Sequence, residues 1–177
     1  MADGSKAVLE WIFEYRPIGI IRSPFKRLED MPIQPSGAKG VRGTVEVFEP
    51  FVDGMQDLLG FSHLILLYHF HKVRQCRLKV KPFLDTEERG VFATRAPVRP
   101  NPVGLSVVKL LDICGPVIYI ENVDILNETP LIDIKPFVPA FDVPEPPVRV
   151  GWLERKTGMI SGIRSDDRFV DESDAGN

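Results

Sequence analysis

The stretch Leu105-Ser-Val-Val-Lys-Leu-Leu-Asp-Ile-Cys-Gly-Pro-Val-Ile-Tyr-Ile-Glu-Asn-Val123 decides the reading of the fold. It holds two runs rich in β-branched and aliphatic residues, Leu105 to Asp112 and Val117 to Val123, parted by Gly115 and Pro116. Short apolar runs bounded by Gly and Pro read as strands. Outward from this stretch the same character recurs in Tyr15 to Arg22, Gly43 to Phe48, His63 to Phe70 and Gly90 to Thr94. The chain has 16 prolines, where ordinary usage of about 5% would give roughly nine. Many short strands with tight turns predict a mainly β fold, either a small closed barrel or a sandwich. One short helix is expected at Val52 to Leu59, and Ser5 to Tyr15 reads equally as helix or strand.

Beyond Pro136 the pattern loosens into Pro139, Pro144, Pro146 and Pro147, which cannot donate to a ladder. The expected organisation is an N-terminal extension over 1–14, a β domain over 15–142 and a C-terminal appendage over 143–177. Val148 to Ile163 is a candidate hairpin, and the acidic end from Asp166 is expected to be disordered.

Composition narrows the function classes. At 177 residues, 44% hydrophobic and 27% charged, the chain suits one compact soluble domain. No apolar run approaches the ~20 residues that span a bilayer, and the N-terminus lacks the order of a secretory signal, so a cytoplasmic protein with no membrane partner is expected. Cys76 and Cys114 are expected to be reduced thiols. The net charge is −3, yet Lys72 to Arg99 holds eight basic and three acidic residues, a local +5 that leaves −8 for the remainder. Such a stretch is compatible either with docking a phosphate backbone or with an ordinary solvated loop.

His63, His69 and His71 share one parity, which invites a metal reading. At about 3.3 Å per residue, His63 and His69 would stand roughly 20 Å apart on a strand. Only His69 and His71 could share an ion, with no further ligands nearby, so no metal is expected. The string Gly90-Val-Phe-Ala-Thr-Arg-Ala-Pro-Val-Arg-Pro-Asn-Pro-Val-Gly-Leu-Ser106 runs an apolar segment into Arg95 and then a proline-locked turn. Pro97, Pro100 and Pro102 fix φ and restrict the residues before them, so Arg95 and Arg99 have little entropy to lose on binding; taken alone, the string reads equally as a stiff barrel corner. A second string, Val123-Asp-Ile-Leu-Asn-Glu-Thr-Pro-Leu-Ile-Asp-Ile-Lys-Pro136, gathers Asp124, Asn127, Glu128 and Asp133 around a turn. Met31-Pro-Ile-Gln-Pro-Ser-Gly37 forms an irregular polar loop. There is no glycine-rich dinucleotide or Walker fingerprint.

Together, Ile18-Gly-Ile-Ile-Arg-Ser-Pro-Phe25, Gly60-Phe-Ser-His-Leu64, the Gly90 to Ser106 string and Asp133-Ile-Lys-Pro-Phe137 resemble the TrmO-type family of tRNA threonylcarbamoyladenosine methyltransferases over about Tyr15 to Asp142. The resemblance implies a small closed β-barrel with one or two short helices, a homodimer and S-adenosylmethionine as methyl donor. It implies that Gln34, Pro35, Ser36, His71, Lys72, Arg95, Leu105, Asp124, Ile125, Leu126 and Asn127 line the cofactor site. Arg89, Arg99 and Asn101 are candidate substrate contacts, and Arg95 and Arg99 are expected to bear on cofactor or anticodon-loop phosphates. Val98 and the Asn127-Glu128 pair depart from the residues common in the family. Asp124, Leu105 and Leu126 suit a sulfonium donor, which needs oxygen near its positive centre and an apolar slot for adenine. The accepting nitrogen is acylated and needs its proton removed; Asp124, Asp133 and His71 are candidate bases that the sequence does not rank. The competing expectations are a methyltransferase with another acceptor and a non-enzymatic RNA-binding or regulatory barrel.

Overall fold

The computed structural model describes residues 11–28, 31–32, 37–83 and 85–154. Eight strands occur there: β1 (Gly19–Arg22), β2 (Arg42–Val47), β3 (His63–His69), β4 (Lys79–Val80), β5 (Arg89–Gly90), β6 (Val103–Cys114), β7 (Val117–Glu121) and β8 (Thr129–Pro136). Six of them close into an antiparallel barrel in the order β1-β2-β7-β6-β3-β8, with β8 pairing back onto β1. Closure leaves no unpaired edge, which suits strands as short as the four residues of β1. The expected mainly β barrel is therefore the fold.

Period-2 patterning explains the core. In β3, Leu64, Leu66 and Tyr68 point inward, while His63 and His69 take the other parity and face out. From the neighbouring strands Ile21, Val45, Val108, Ile118, Ile120 and Leu131 complete a fully buried interior. Each such side chain contributes about 1.5–3 kcal/mol through removal from water. Gly115, at φ +55°, makes the tight turn that joins β6 to β7.

Four local expectations are corrected. Tyr15 to Arg22 becomes strand only at Gly19, after Pro17, and a β-carbon on Gly19 would meet the Glu46 carbonyl oxygen at 2.5 Å. Gly90 to Thr94 is not a strand beyond Gly90: Val91–Ala93 is a 3-10 turn that tucks Val91 into a second small core with Val80, Ala96 and Val98. Val52 to Leu59 forms no α-helix; Glu49–Met55 and Leu58–Gly60 are separate 3-10 turns, parted near Asp57 at φ +63°. Thr129–Pro136, read as part of a polar turn, is the strand that closes the barrel. Its proline and charged residues hid a pattern that a register shift opposite Leu67/Tyr68 also interrupts.

After the barrel comes a single turn of α-helix, α1 (Pro139–Asp142), across which the Val138 N–H donates to the Asp142 carboxylate at 2.6 Å. Of the expected hairpin, Gly151–Leu153 is a 3-10 turn, and the portion from 155 lies outside the described residues, as do 1–10 and the acidic end. Among the described residues no helix is long and apolar enough to cross a membrane.

Candidate active site

At one end of the barrel, β3 exits toward His71, β6 enters at Val103, and the loop 122–128 passes from β7 to β8. That loop is pinned from several sides. The Ser23 hydroxyl donates to the Ile125 carbonyl at 2.6 Å, the Asn127 N–H donates to the Phe25 carbonyl at 2.8 Å, and the Asn127 side-chain oxygen accepts from the Ser23 N–H at 3.2 Å. Val123, Ile125 and Leu126 are buried. Asp124 sits between the buried Val123 and Ile125.

The Ser106 hydroxyl donates to Asp124 Oδ1 at 2.7 Å, and the Tyr68 hydroxyl lies 3.0 Å from Ser106 Oγ. An ionised carboxylate only accepts, so Ser106 gives its one proton to Asp124 and receives that of Tyr68. The chain of hydrogen bonds thus runs one way, from Tyr68 through Ser106 to Asp124. Burial pushes the Asp124 carboxyl up to about 6, although Ser106, its own backbone N–H and the Arg95 charge all pull it down. Burial and the neighbouring Asp124 also push the Tyr68 phenol up, which keeps it a proton donor.

The Thr129 hydroxyl donates to the Leu126 carbonyl at 2.7 Å, and His71 Nδ1 lies 3.4 Å from Thr129 Oγ1. Thr129 has no second proton to give, so His71 carries its hydrogen on Nδ1 and presents Nε2 as an acceptor. Burial first, then Lys72 and His69, lower the His71 pKa, with Glu128 opposing.

The residues expected from the sequence fall into distinct places. Arg95 acts electrostatically on both Asp124 and Tyr68, and His71 approaches the Leu126 carbonyl through Thr129, so these positions come together at the barrel mouth. Lys72 is exposed beside His71. Leu105 is 46% exposed and points away from the interior that its neighbour Ser106 faces. Ile125 and Leu126 are buried, and Asn127 is occupied in holding the loop. Gln34, Pro35 and Ser36 lie outside the described residues.

Arg99 Nη1 donates to the carbonyls of Thr94 at 3.0 Å and Val91 at 3.2 Å, and the guanidinium stacks over Phe92. Arg89 pairs with Asp85 at 2.8 Å and Glu87 at 2.7 Å and lies against the Trp152 ring. Both arginines are engaged in building the arm over 79–99, and Trp152 ties the C-terminal turn to it by donating to the Ala93 carbonyl at 2.8 Å. Asn101 is exposed. Sequence reasoning passed over Tyr68, Ser106 and Thr129. Ser106 did carry a signal: it is the one hydroxyl at an inward position of β6.

A half-buried carboxylate beside the apolar Leu126 fits a cationic methyl donor such as S-adenosylmethionine, since the negative charge meets the sulfonium where water is scarce. Among the described residues no three His, Cys, Asp or Glu side chains gather as they would around a metal ion.

A closed six-stranded barrel carrying a half-buried acid at its mouth and a basic arm beside it defines a class of small β-barrel proteins unlike the Rossmann-type cofactor binders. The family described as tRNA-methyltransferase O N-terminal domain matches residues 20–143, and the chain belongs to that family. It is 54% identical over 162 residues to a probable S-adenosyl-L-methionine-binding protein of Pyrococcus abyssi, covering 92% of this chain and 88% of the relative. It is 35% identical over 137 residues to the tRNA (adenine(37)-N6)-methyltransferase of Escherichia coli K12, covering 72% of this chain and 58% of that enzyme. The crystal structure of TrmO from Pseudomonas aeruginosa is similar with a TM-score of 0.67 at 37% identity, covering 80% of this chain and 63% of that one. The chain thus spans less than two thirds of the length of those last two proteins.

Proposed function

We propose that this protein methylates tRNA with S-adenosylmethionine, and that its acceptor is the exocyclic nitrogen of threonylcarbamoyladenosine beside the anticodon. The observation that carries the reading is the half-buried Asp124 carboxylate, oriented by Ser106 at the barrel mouth and under the charge of Arg95. The names of the Pyrococcus and Escherichia relatives support the donor and the class of acceptor. The bound donor supplies an electrophilic methyl group. The chain supplies a place to hold it, assigned to Gln34, Pro35, Ser36, His71, Lys72, Arg95, Leu105 and Asp124 to Asn127, and much of the rate gain comes from aligning the two reactants.

The tRNA backbone is assigned to the arm that follows His71. Lys72, Arg74, Arg77 and Lys79 are exposed along it, where positive charge can displace counterions from phosphates. Arg89 and Arg99 serve tRNA by keeping that arm in shape, and exposed Asn101 stands at its return to β6. A homodimer is part of the proposal, since a small barrel gains contact area for a large substrate by pairing.

The test is transfer of labelled methyl from S-adenosylmethionine to tRNA that carries threonylcarbamoyladenosine and to tRNA made without it. Transfer to the modified tRNA alone is expected. Equal transfer to both would move the acceptor elsewhere, and donor-independent RNA binding without transfer would overturn the enzyme.

A further inference from the structure

Three side chains from separate parts of the chain meet in one buried line: Tyr68 on β3, Ser106 on β6 and Asp124 on the loop after β7. Tyr68 and Gly104 are cross-strand partners, and the phenol ring lies over the glycine, so its hydroxyl reaches the next inward residue of β6, Ser106. Ser106 is fully buried and Tyr68 nearly so. A buried hydroxyl pair in a mostly aliphatic barrel costs desolvation and adds little packing; the buried Thr129 hydroxyl gives its proton to a backbone carbonyl, whereas this pair is directed toward one carboxylate, which calls for a chemical reason.

We infer that Asp124 is the proton acceptor for the methylated nitrogen, with Ser106 and Tyr68 as positioning residues that hold its carboxylate and set its basicity. The inference rests on the methyl-transfer reading above. In the step, the N–H bond of the acylated nitrogen breaks as an O–H bond forms on Asp124. The nitrogen pair closes on the donor methyl carbon, the carbon–sulfur pair leaves on sulfur, and the proton passes from Asp124 to solvent after product leaves.

The groups that bear on Asp124 are Arg95 from the turn after β5, Ser106 from β6 and Tyr68 from β3; Glu128 and Lys72 act on His71 instead. A carboxyl held near 6 is ionised at neutral pH yet basic enough to take a proton in the transition state. Donation from Ser106 favours the ionised form, so its removal moves the titration upward.

The experiment uses the full chain and threonylcarbamoyladenosine-bearing tRNA, with single-turnover rates from pH 5 to 9 for the native protein, Ser106→Ala, Tyr68→Phe and Asp124→Asn. Calorimetric binding of S-adenosylhomocysteine is measured for each. Asp124→Asn is expected to slow transfer about a hundredfold or more at every pH. Ser106→Ala and Tyr68→Phe are expected to move the acid limb to higher pH and to recover toward alkaline pH, with product-analogue affinity within about threefold of native. An acid limb that stays in place, or a loss that appears wholly as weakened analogue binding, would overturn the assignment. The carboxyl carbon of Asp124, followed by NMR titration, needs no tRNA and so separates this inference from the choice of acceptor. A midpoint near 6 that rises in Ser106→Ala supports it, and an ordinary aspartate midpoint in both proteins defeats it.

Discussion

The ring of Tyr68 occupies the space that a side chain on Gly104 would need. A β-carbon built on that glycine would lie 2.5 Å from Tyr68 Cζ and overlap Cε2 more closely still. Gly104→Ala therefore swings the phenol off Ser106. The expected cost is about 1–3 kcal/mol of stability, as for other overpacked interiors. Urea denaturation measures it, and loss of transfer activity in the folded remainder would accompany it if Tyr68 positions Ser106.

Asp124 makes stability depend on pH in a direction opposite to that of a salt-bridged acid. Its folded value, about 6, stands above the ordinary aspartate value of 3.8, so the native state binds the proton more tightly than the unfolded chain. Its contribution is fully present below pH ~4 and is lost as pH rises through 6. Asp124→Asn removes that dependence, so the variant should gain on the native protein between pH 4 and 7 by up to about 3 kcal/mol. Denaturation midpoints at pH 4, 5, 6 and 7.5 test this; a difference that does not change with pH contradicts it.

His71 titrates in the other sense. Its folded pKa lies below the ordinary 6.5 because burial opposes its charge, so the stability tied to its neutral ring is present above pH ~6.5 and falls away under acid conditions. Nitrogen-15 spectra of the imidazole at neutral pH should show the proton on Nδ1 and a bare Nε2. Thr129→Val removes the oxygen that His71 Nδ1 faces, and the spectrum should then report a mixture of tautomers.

Arg99 holds its turn through geometry that lysine cannot copy. A single nitrogen serves the carbonyls of Val91 and Thr94 while the planar group stacks on Phe92. Arg99→Lys should therefore resemble Arg99→Ala, each losing about 1–3 kcal/mol for the carbonyls left unpaired. If the variants fold and Arg95 depends on this turn for its place, tRNA methylation falls while the barrel's melting transition persists. Circular dichroism with the transfer assay distinguishes the two effects.

What the sequence determined by itself was periodicity and punctuation. Strands such as His63–His69 and Val103–Cys114 were legible because alternation is a local property, and the proline string at 97–102 declared a rigid turn without reference to any partner. Asp124 and Arg95 were legible as candidates through their motifs. Only the tertiary structure decided that Thr129–Pro136 is a closing strand, because its pairing with both β1 and β3 compensates for prolines and charges that spoil its local pattern. It alone decided that Arg89 and Arg99 turn back on the protein and that Tyr68 and Ser106 reach Asp124. Those contacts join residues 38 and 18 positions apart. Closing the barrel brings them together, and no spacing within a single segment encodes that meeting.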